Sequence, residues 1–583
     1  MSLSTPFINR PVGTTLLTVA ILLAGALGYM LLPVSPLPQV DFPTIQVSAA
    51  LPGASPETMA SAVATPLERQ FSRIAGITEM TSQSTLGATQ IVIQFELDRD
   101  INAAARDVQA AINAARGRLP PNLPTNPSYR KVNPADAPIM ILRVTSDTYS
   151  KADMYDAAST ILQQKLSQVP GVGLVFVGGG SPPGVRVDIN PTVLHHYGIV
   201  TDQVRATLGA ANANRPKGTI NGLLRSWTID TTDQLLKADE YRPLIVTYRN
   251  GAPVRLGDIA HVYDSVEDIR TGGVSGGKPA VSIIVFRQPG ANIIATVERV
   301  KALLPLLDAQ IPADMELDMA DDRTKVIRAS IEDVQFTLVL SVALVILVVF
   351  LFLRDLRATF IPSIAVPVSL VGTFGVMYLA GYSLDNLSLM ALTIATGFVV
   401  DDAIVVIENI TRHLEEGLSP LQAAYKGASE IGFTVLSISI SLVAVFIPIL
   451  LMGGIVGRLF QEFAVTLSVA IGVSLVVSLT TTPMMCAWML KSKHDQRPGR
   501  LFLLSERIFD GVLAVYRWTL SWCLRHQWFV MLIAVATVGL TGYLYVIVPK
   551  GFFPQQDAGR ITGNLNADQD VSFQQMQRLL TKF

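Results

Sequence analysis

The chain has 583 residues, is 50% hydrophobic and 16% charged, and carries a formal net charge of −1. A mean hydropathy of +0.42 is too high for an ordinary soluble protein. With neither a basic stripe nor net positive charge, the sequence excludes nucleic acid as a partner. Cys486 and Cys523 lie in or beside apolar segments and imply no disulfide framework.

The first apolar run, Val12 to Leu32, is long enough to cross a bilayer and lacks a small-residue cleavage site. Residues 1–32 therefore read as a retained membrane helix. Further stretches near the required 20 or so apolar residues fall at 336–353, 359–380, 386–408, 434–453, 463–490 and 528–548. Segment 321–490 holds spans two to six, and 528–548 is the seventh. Arg10, Arg354, Arg357, Arg412, Lys426 and the basic residues from Lys491 to Arg525 share one side if the spans alternate. That side is the cytoplasm. The opposite short loops, around Gly381–Asn386 and Gly453–Glu462, carry only Arg458, so residues 33–335 are extracytoplasmic.

That long segment has soluble patterning. Ile45–Leu51 reads as a strand, and Ser55 caps a helix with Pro56 at its first position. Ile77–Gln83 and Ala88–Leu97 form a hairpin turning at Leu86-Gly87. Ile101–Leu119 is a second helix, closed by Pro120-Pro121, and Ser128–Val132 is the last strand. The order βαββαβ over residues 33–132 is a split-βαβ unit. A second unit covers 133–179 and 266–320. It comprises Ile139–Thr145, a helix Lys151–Val169, Val172–Val177, Ala280–Arg287, a helix Asn292–Gln310 and Glu316–Met319. An insert at 180–265, with a hairpin at Gly218–Ile229, reads as a protruding lobe. Gly178-Gly179-Gly180 lacks the Lys-Ser/Thr and helix start of a phosphate loop and reads as a hinge into the insert.

Asp321–Val334 is a charged helical lead into the second span. Residues 410–431 read as an interfacial helix, and 491–527 as a cytoplasmic amphipathic segment centred on Phe502–Trp518. Trp518, Trp522 and Trp528 flank the last span as belt residues do, although simple packing explains them equally. The fold class is thus an α+β membrane protein: seven membrane helices, a large extracytoplasmic pair of βαββαβ subdomains and an inserted lobe.

The chemistry concentrates in Gly397–Asn409, where Asp401 and Asp402 interrupt an apolar helix. An ionised, unpaired carboxylate at such depth costs several kcal/mol, and a neighbouring one makes this worse. The pair could face a water-filled crevice or cap a kink, but intramembrane acids mark ion pathways by default. Successive helix residues point about 100° apart, so the two can address different neighbours. Gly397, four residues earlier, would let another helix approach closely, and ordinary packing explains it equally. Glu408 is a candidate proton-exit residue or a solvated helix end. An intramembrane aspartyl protease would need two acids on separate helices, and the other spans offer no second buried acid. Metal export would need clustered soft ligands. Met140, Met154, Met315 and Met319 are scattered, and His195-His196 sit in the insert. No cofactor is implied.

The sequence also restarts. Pro33, Pro38, Gln39 and Asp41 recur as Pro549, Pro554, Gln555 and Asp557 at a constant offset of 516. Ile561–Leu565 then resembles a new first strand and Ser572–Lys582 a new first helix, so 549–583 reads as the start of a second repeat. A complete duplicated chain would be roughly twice that offset in length.

These features together resemble the resistance–nodulation–division (RND) efflux transporters of the hydrophobe/amphiphile type. The motifs that carry the likeness are Asn9-Arg10-Pro11, Phe360–Val368 and Gly397–Asn409 with its Asp-Asp pair. Pro36–Pro43, Leu51–Ala60 and Asn386–Thr393 point to one subunit type within the family. The likeness covers the whole chain as the N-terminal half of such a pump. It implies a multi-pass, trimeric proton/drug antiporter of the bacterial inner membrane that contacts membrane lipid and exports small amphiphilic substrates. It also implies homologous subunits, a periplasmic adaptor and a TolC-like outer-membrane channel as partners. Export of metal ions or lipids remains the alternative within the superfamily. By the same resemblance Asp401 and Asp402 are proton-relay residues, 180–265 is a docking lobe, and 33–132 with 133–179 and 266–320 are porter subdomains. The relay's lysine lies in the family's second half and is absent here. Ile139, Met140, Ile141 and Phe176 are candidate substrate-pocket residues, with fewer phenylalanines than drug pumps of this family carry.

Overall fold

The structure, a computed structural model, describes residues 3–38, 40, 42–134, 137–212, 216–230, 234–491, 500–551, 559, 561–568 and 570–582. Two compact units emerge, one of Met1–Leu32, Pro36–Pro38 and Ala329–Phe583, the other of Pro33–Ser35 and Gln39–Arg328. The chain enters through α1 (Pro11–Leu31), which belongs to the first unit.

The second unit opens with β1 (Thr44–Ala50), β2 (Ile77–Thr85), β3 (Ala88–Phe95) and β4 (Ser128–Val132), hydrogen-bonded in the order β2-β3-β1-β4. Ile45 faces Ile93 and Val47 faces Ile91 in register, and all four are buried. Such alternation puts every second side chain into one core, beneath the helical residues 56–71 and α2 (Ile101–Ala115). Ser55 accepts from the Thr58 amide with Pro56 following, and Asp100 accepts from the amides of Asn102 and Ala103 at the start of α2. Gly87, at φ +74°, makes the β2–β3 turn. The helix stops at Ala115, short of the expected Leu119, because residues 116–118 tighten into a 3-10 turn.

A second sheet uses β5 (Met140–Thr145) and β6 (Val172–Gly178). The insert follows, beginning at β7 (Pro183–Ile189) and returning along β8 (Ala260–Val266), its antiparallel partner. The sheet then resumes with β9 (Lys278–Arg287) and, after α3 (Ile293–Asp308), β10 (Glu316–Asp322). Four of its five strands run in the order β6-β9-β5-β10, which repeats that of the first sheet, and the short strand Val274–Ser275 pairs with the start of β9. Met140, Leu142 and Val144 alternate inward against Val175, Val177, Ile283 and Val285. The insert has its own core of Leu194, Val204, Val246, Leu256 and Val262. Its Thr219–Asn221/Ser226–Thr228 hairpin is wholly exposed. Gly179, at φ +80°, turns the chain out of β6, and no helix begins there.

Among the described residues, seven helices are long and apolar enough to span a bilayer. After α1 come α4 (Thr324–Leu353), α5 (Leu356–Leu379), α6 (Asn386–Glu415), α7 (Pro420–Leu450) and α8 (Gly454–Met489). They are followed by the amphipathic α9 (Arg500–Arg525) and by α10 (Gln527–Ile547). Helix α8 packs against α5, α6 and α7, which makes it the centre of the bundle.

Several expectations change. Residues 410–431 form no separate interfacial helix. Helix α6 runs to Glu415 and α7 starts at Pro420, because Gly417 (φ +96°) breaks the chain and Ser419 caps the next helix. Helix α8 begins nine residues before the expected 463, so Glu462 lies inside it. Ile561–Leu565 is not a strand: it pairs with nothing among the described residues, and Ile561 is exposed. Phe573–Lys582 is helical as expected. Of the repeat's motif residues, Gln39, Asp41, Pro554, Gln555 and Asp557 lie outside the described residues.

Candidate functional site

Helix α6 carries the two aspartates into the bundle with different surroundings. Asp402 is 4% exposed, whereas Asp401 lies on the exposed side of the helix. Asp402 meets hydroxyls from two other helices. Ser474 Oγ of α8 donates toward its Oδ2 at 3.3 Å, and Ser439 Oγ of α7 lies 3.5 Å from the same oxygen. Ser474 Oγ is also 3.1 Å from the Val399 carbonyl oxygen, one turn back on α6. The adjacent carboxylates are therefore split: one is held at a three-helix junction, the other is presented outward. Among the described residues only hydroxyls bond the Asp402 carboxyl, and a carboxylate with no fixed cation to lock it ionised can gain and lose a proton.

The other candidates separate on inspection. Glu408 is exposed on α6 and stays compatible with a solvated exit or end. Gly397 does not serve a close helix approach: a Cβ built there meets nothing within 4 Å among the described residues. The close approach is elsewhere, where Gly25 and Gly28 of α1 meet the backbone of α5 around Val371 and Phe374. In the soluble unit Ile139 and Met140 are core residues, 2% and 0% exposed. Strand alternation turns Ile141 to the opposite face, where the register Ile141–Ile284–Phe176 runs across β5, β9 and β6. Phe176 is half exposed there.

Sequence reasoning missed a second buried acid in the spans. Glu462 of α8 is 6% exposed and Asp385, the N-cap of α6, is fully buried. The Ser383 amide donates to Glu462 Oε1 at 2.6 Å, and Ser383 Oγ donates to Asp385 Oδ2 at 3.0 Å. Glu462 and Ser474, which touches Asp402, are twelve residues apart on α8, roughly 18 Å along the axis. Glu462 and Asp402 thus cannot converge on one water as protease aspartates must. At the other end of α6, both ring nitrogens of His413 lie 2.8 Å from carboxylates, Glu416 and Glu430, while Asn409 Nδ2 donates to the Gly427 carbonyl. Among the described residues no group of three or more His, Cys, Asp or Glu is placed to hold a metal ion.

A bundle of span-length helices with an acid held at its centre, joined in sequence to twin split-βαβ sheets, defines a polytopic α+β membrane protein. The profile of the AcrB/AcrD/AcrF family matches residues 3–583, and the chain belongs to that family of RND transporters. It is 59% identical over 579 residues to "Multidrug resistance protein MdtC" of Yersinia pseudotuberculosis serotype O:3 (strain YPIII), covering 99% of this chain and 56% of that protein. The same identity and coverage hold for the protein of that name in Yersinia pestis bv. Antiqua (strain Angola). The chain spans about half the length of these relatives.

Proposed function

We propose that this chain forms part of the permease subunit of a tripartite multidrug pump in the bacterial inner membrane, exporting drugs and amphiphiles by proton antiport. The observation that carries the reading is Asp402, buried at the meeting of α6, α7 and α8 with the hydroxyls of Ser439 and Ser474 at its carboxyl. Its neighbour Asp401 lies on the exposed side of the helix, where it would be open to an ammonium. Paired with that cation the aspartates stay ionised; protonated, they release it. Each proton moving inward supplies roughly 2.3 kcal/mol per 100 mV, which biases how α6 sits against α7 and α8.

Residues 33–132 and 133–179 with 266–320 would act as porter subdomains. The apolar face of Ile141, Ile284 and Phe176 would contact amphiphilic cargo. The insert, 180–265, would dock to neighbouring subunits through its exposed hairpin. The name of the similar proteins supports multidrug export, and a trimer mixed with an MdtB-type subunit, a periplasmic adaptor and a TolC-like channel complete the assembly. The test is Asp402→Asn, and separately Asp401→Asn, in the complete pump. Assembly should persist while proton-coupled drug efflux falls to background. Undiminished efflux in both, with the partner subunit's own acids also neutralised, overturns the reading.

A further inference from the structure

His413 sits in the last turn of α6 with its ring enclosed, 2% exposed. Nδ1 lies 2.8 Å from Glu416 Oε2, and Nε2 lies 2.8 Å from Glu430 Oε2. Glu416 is the C-cap of the same helix, and Glu430 belongs to α7. An ionised carboxylate only accepts hydrogen bonds, so a ring nitrogen without hydrogen would meet it lone pair to lone pair. The two contacts together therefore require hydrogen on both nitrogens, which is the imidazolium form. Were that hydrogen on a glutamate instead, the trio would still hold it. The geometry thus counts one bound proton, whichever atom carries it.

Position gives that proton a role. His413 follows Asp402 by eleven residues, about three turns and 20°, so the two share one stripe of α6 roughly 16 Å apart. Asn409 lies on the same stripe, and its Nδ2 donates to the Gly427 carbonyl at 3.0 Å. All three meet α7: Asp402 at Ser439, Asn409 at Gly427 and His413 at Glu430. The basic loops place the His413 end in the cytoplasm. The ring is buried, but Glu416 and Glu430 are 52% and 43% exposed, so the proton can pass to water through their carboxylates. Arg412, 3.3 Å from Glu430, and Lys426 are the cations that stand against the two glutamates. From α8 the residues packed at this end are Met485, Cys486 and Leu490, of which only the thiol is titratable.

We propose that His413, Glu416 and Glu430 form a second proton-binding site, and that its proton clamps the cytoplasmic ends of α6 and α7 together. Loss of the proton leaves one donor for two acceptors and removes the charge that strengthens both bonds. The Asn409–Gly427 bond needs no proton and persists, so the seam loosens from its cytoplasmic end without parting. A falling cytoplasmic pH tightens that end of the seam, and a rising one frees it. The site rests on contacts of α6 and α7 alone, so its failure would leave the transport reading untouched.

The test uses the complete gene product in phospholipid vesicles, with its histidine rings labelled with nitrogen-15, and reads protonation by solid-state nuclear magnetic resonance. The His413 signal is the one missing from His413→Gln; should that variant not fold, it is the one displaced in Glu430→Gln. In the wild type it should stay doubly protonated to a higher pH than in Glu430→Gln or Glu416→Gln. Each glutamine variant should weaken proton binding about tenfold, the loss of one charge-assisted hydrogen bond. Both replaced side chains are half-exposed, so these variants should fold. The clamp is read by amide exchange of residues 413–427, corrected for the intrinsic rate at each pH. Protection should fall as His413 loses its proton, and should fall at lower pH in Glu430→Gln. A packing role alone would lower protection equally at every pH. The proposal is overturned if no histidine signal changes its titration in either glutamine variant, or if protection of 413–427 does not follow the titration of His413.

Discussion

Ser474 and Asp402 are linked through a single proton. Ser474 Oγ lies 3.3 Å from Asp402 Oδ2 and 3.1 Å from the Val399 carbonyl oxygen, and one hydroxyl hydrogen cannot serve both acceptors well. An ionised Asp402 draws that hydrogen to itself. A protonated Asp402 donates instead, which frees Ser474 to bond Val399. The charge on α6 is thereby translated into which atom of α6 is tied to α8.

Ser474→Ala should therefore weaken coupling without removing the acid. A hydrogen bond to a charged group contributes about 1.5–3 kcal/mol, so efflux driven by an imposed pH gradient should slow about tenfold while assembly stays intact. Ser474→Thr, which restores a hydroxyl, should recover most of the rate. Equal rates for the alanine and threonine variants would show that the hydroxyl plays no part.

The glycines give a paired expectation. A methyl at Gly25 collides with the Val371 carbonyl oxygen, a backbone atom that cannot move aside cheaply. Gly25→Ala should destabilise the membrane unit by about 1–3 kcal/mol. Gly397→Ala meets open space in mid-helix and should be neutral or stabilise by up to about 1 kcal/mol. Thermal inactivation in detergent reads both, and identical midpoints for the two variants would contradict the packing described.

Much of this was legible because local chemistry dictates local structure. Ser55-Pro56 and Asp100 announce helix starts, Gly87 announces a hairpin, and runs of apolar residues announce spans. What stayed hidden depends on which faces meet. Nothing in the sequence distinguishes Ser439 and Ser474 from other hydroxyls in apolar helices. Alternation shows that Met140 and Ile141 point opposite ways, but not which one enters the core. Glu462 escaped because a charge ends an apolar window, although the helix itself continues outward to Gly454. Gly397 stood out for its nearness to the aspartates, whereas the Gly25/Gly28 and Gly372/Gly375 spacings carried the real signal of close helix contact.

In the soluble unit, Lys301 of α3 forms an ion pair at 2.7 Å with the buried Asp322, at the end of β10 just before α4. Burial pushes the Asp322 carboxyl up, but Lys301 and two bonds from Thr324 outweigh it and hold the group below its ordinary value. The Lys301 ammonium is raised by the same pairing. A depressed acid stabilises the fold above its unfolded value of 3.8 and loses that contribution as pH falls through the folded value. A raised lysine stabilises below 10.5 and loses its contribution as pH rises through the folded value. Lys301→Met should therefore cost about 2 kcal/mol between those limits, a reduced figure because the lysine is partly exposed, and progressively less outside them. Hydrogen exchange of the β10 amides in the complete protein reads this. A cost that does not change with pH would show that the charge is irrelevant.

Asp385 and Glu462 supply the opposite pH dependence. Burial raises the Asp385 carboxyl above its ordinary value, against the pull of donors from Ser388, Ser383 and Leu387. Ser383 Oγ lies 3.0 Å from Asp385 Oδ2 and 3.4 Å from Glu462 Oε1, so the two carboxyls meet around one hydroxyl. Tyr382 is the other titrating neighbour, its hydroxyl raised first by burial and then by the charge of Glu462, and Arg458 lies one turn earlier on α8. An acid whose folded value is raised contributes stability that is complete below the unfolded value of 3.8 and fades as pH climbs through the folded one. Glu462→Gln keeps an acceptor for the Ser383 amide but removes the second charge. It should match the wild type in acid and exceed it at neutral and alkaline pH. Glu462→Ala removes the acceptor that the buried Ser383 amide uses at 2.6 Å and should lose about 1–3 kcal/mol at every pH. Thermal midpoints taken across the pH range separate the two variants. A glutamine variant that tracks the wild type at all pH values would mean that a second charge beside Asp385 does not matter.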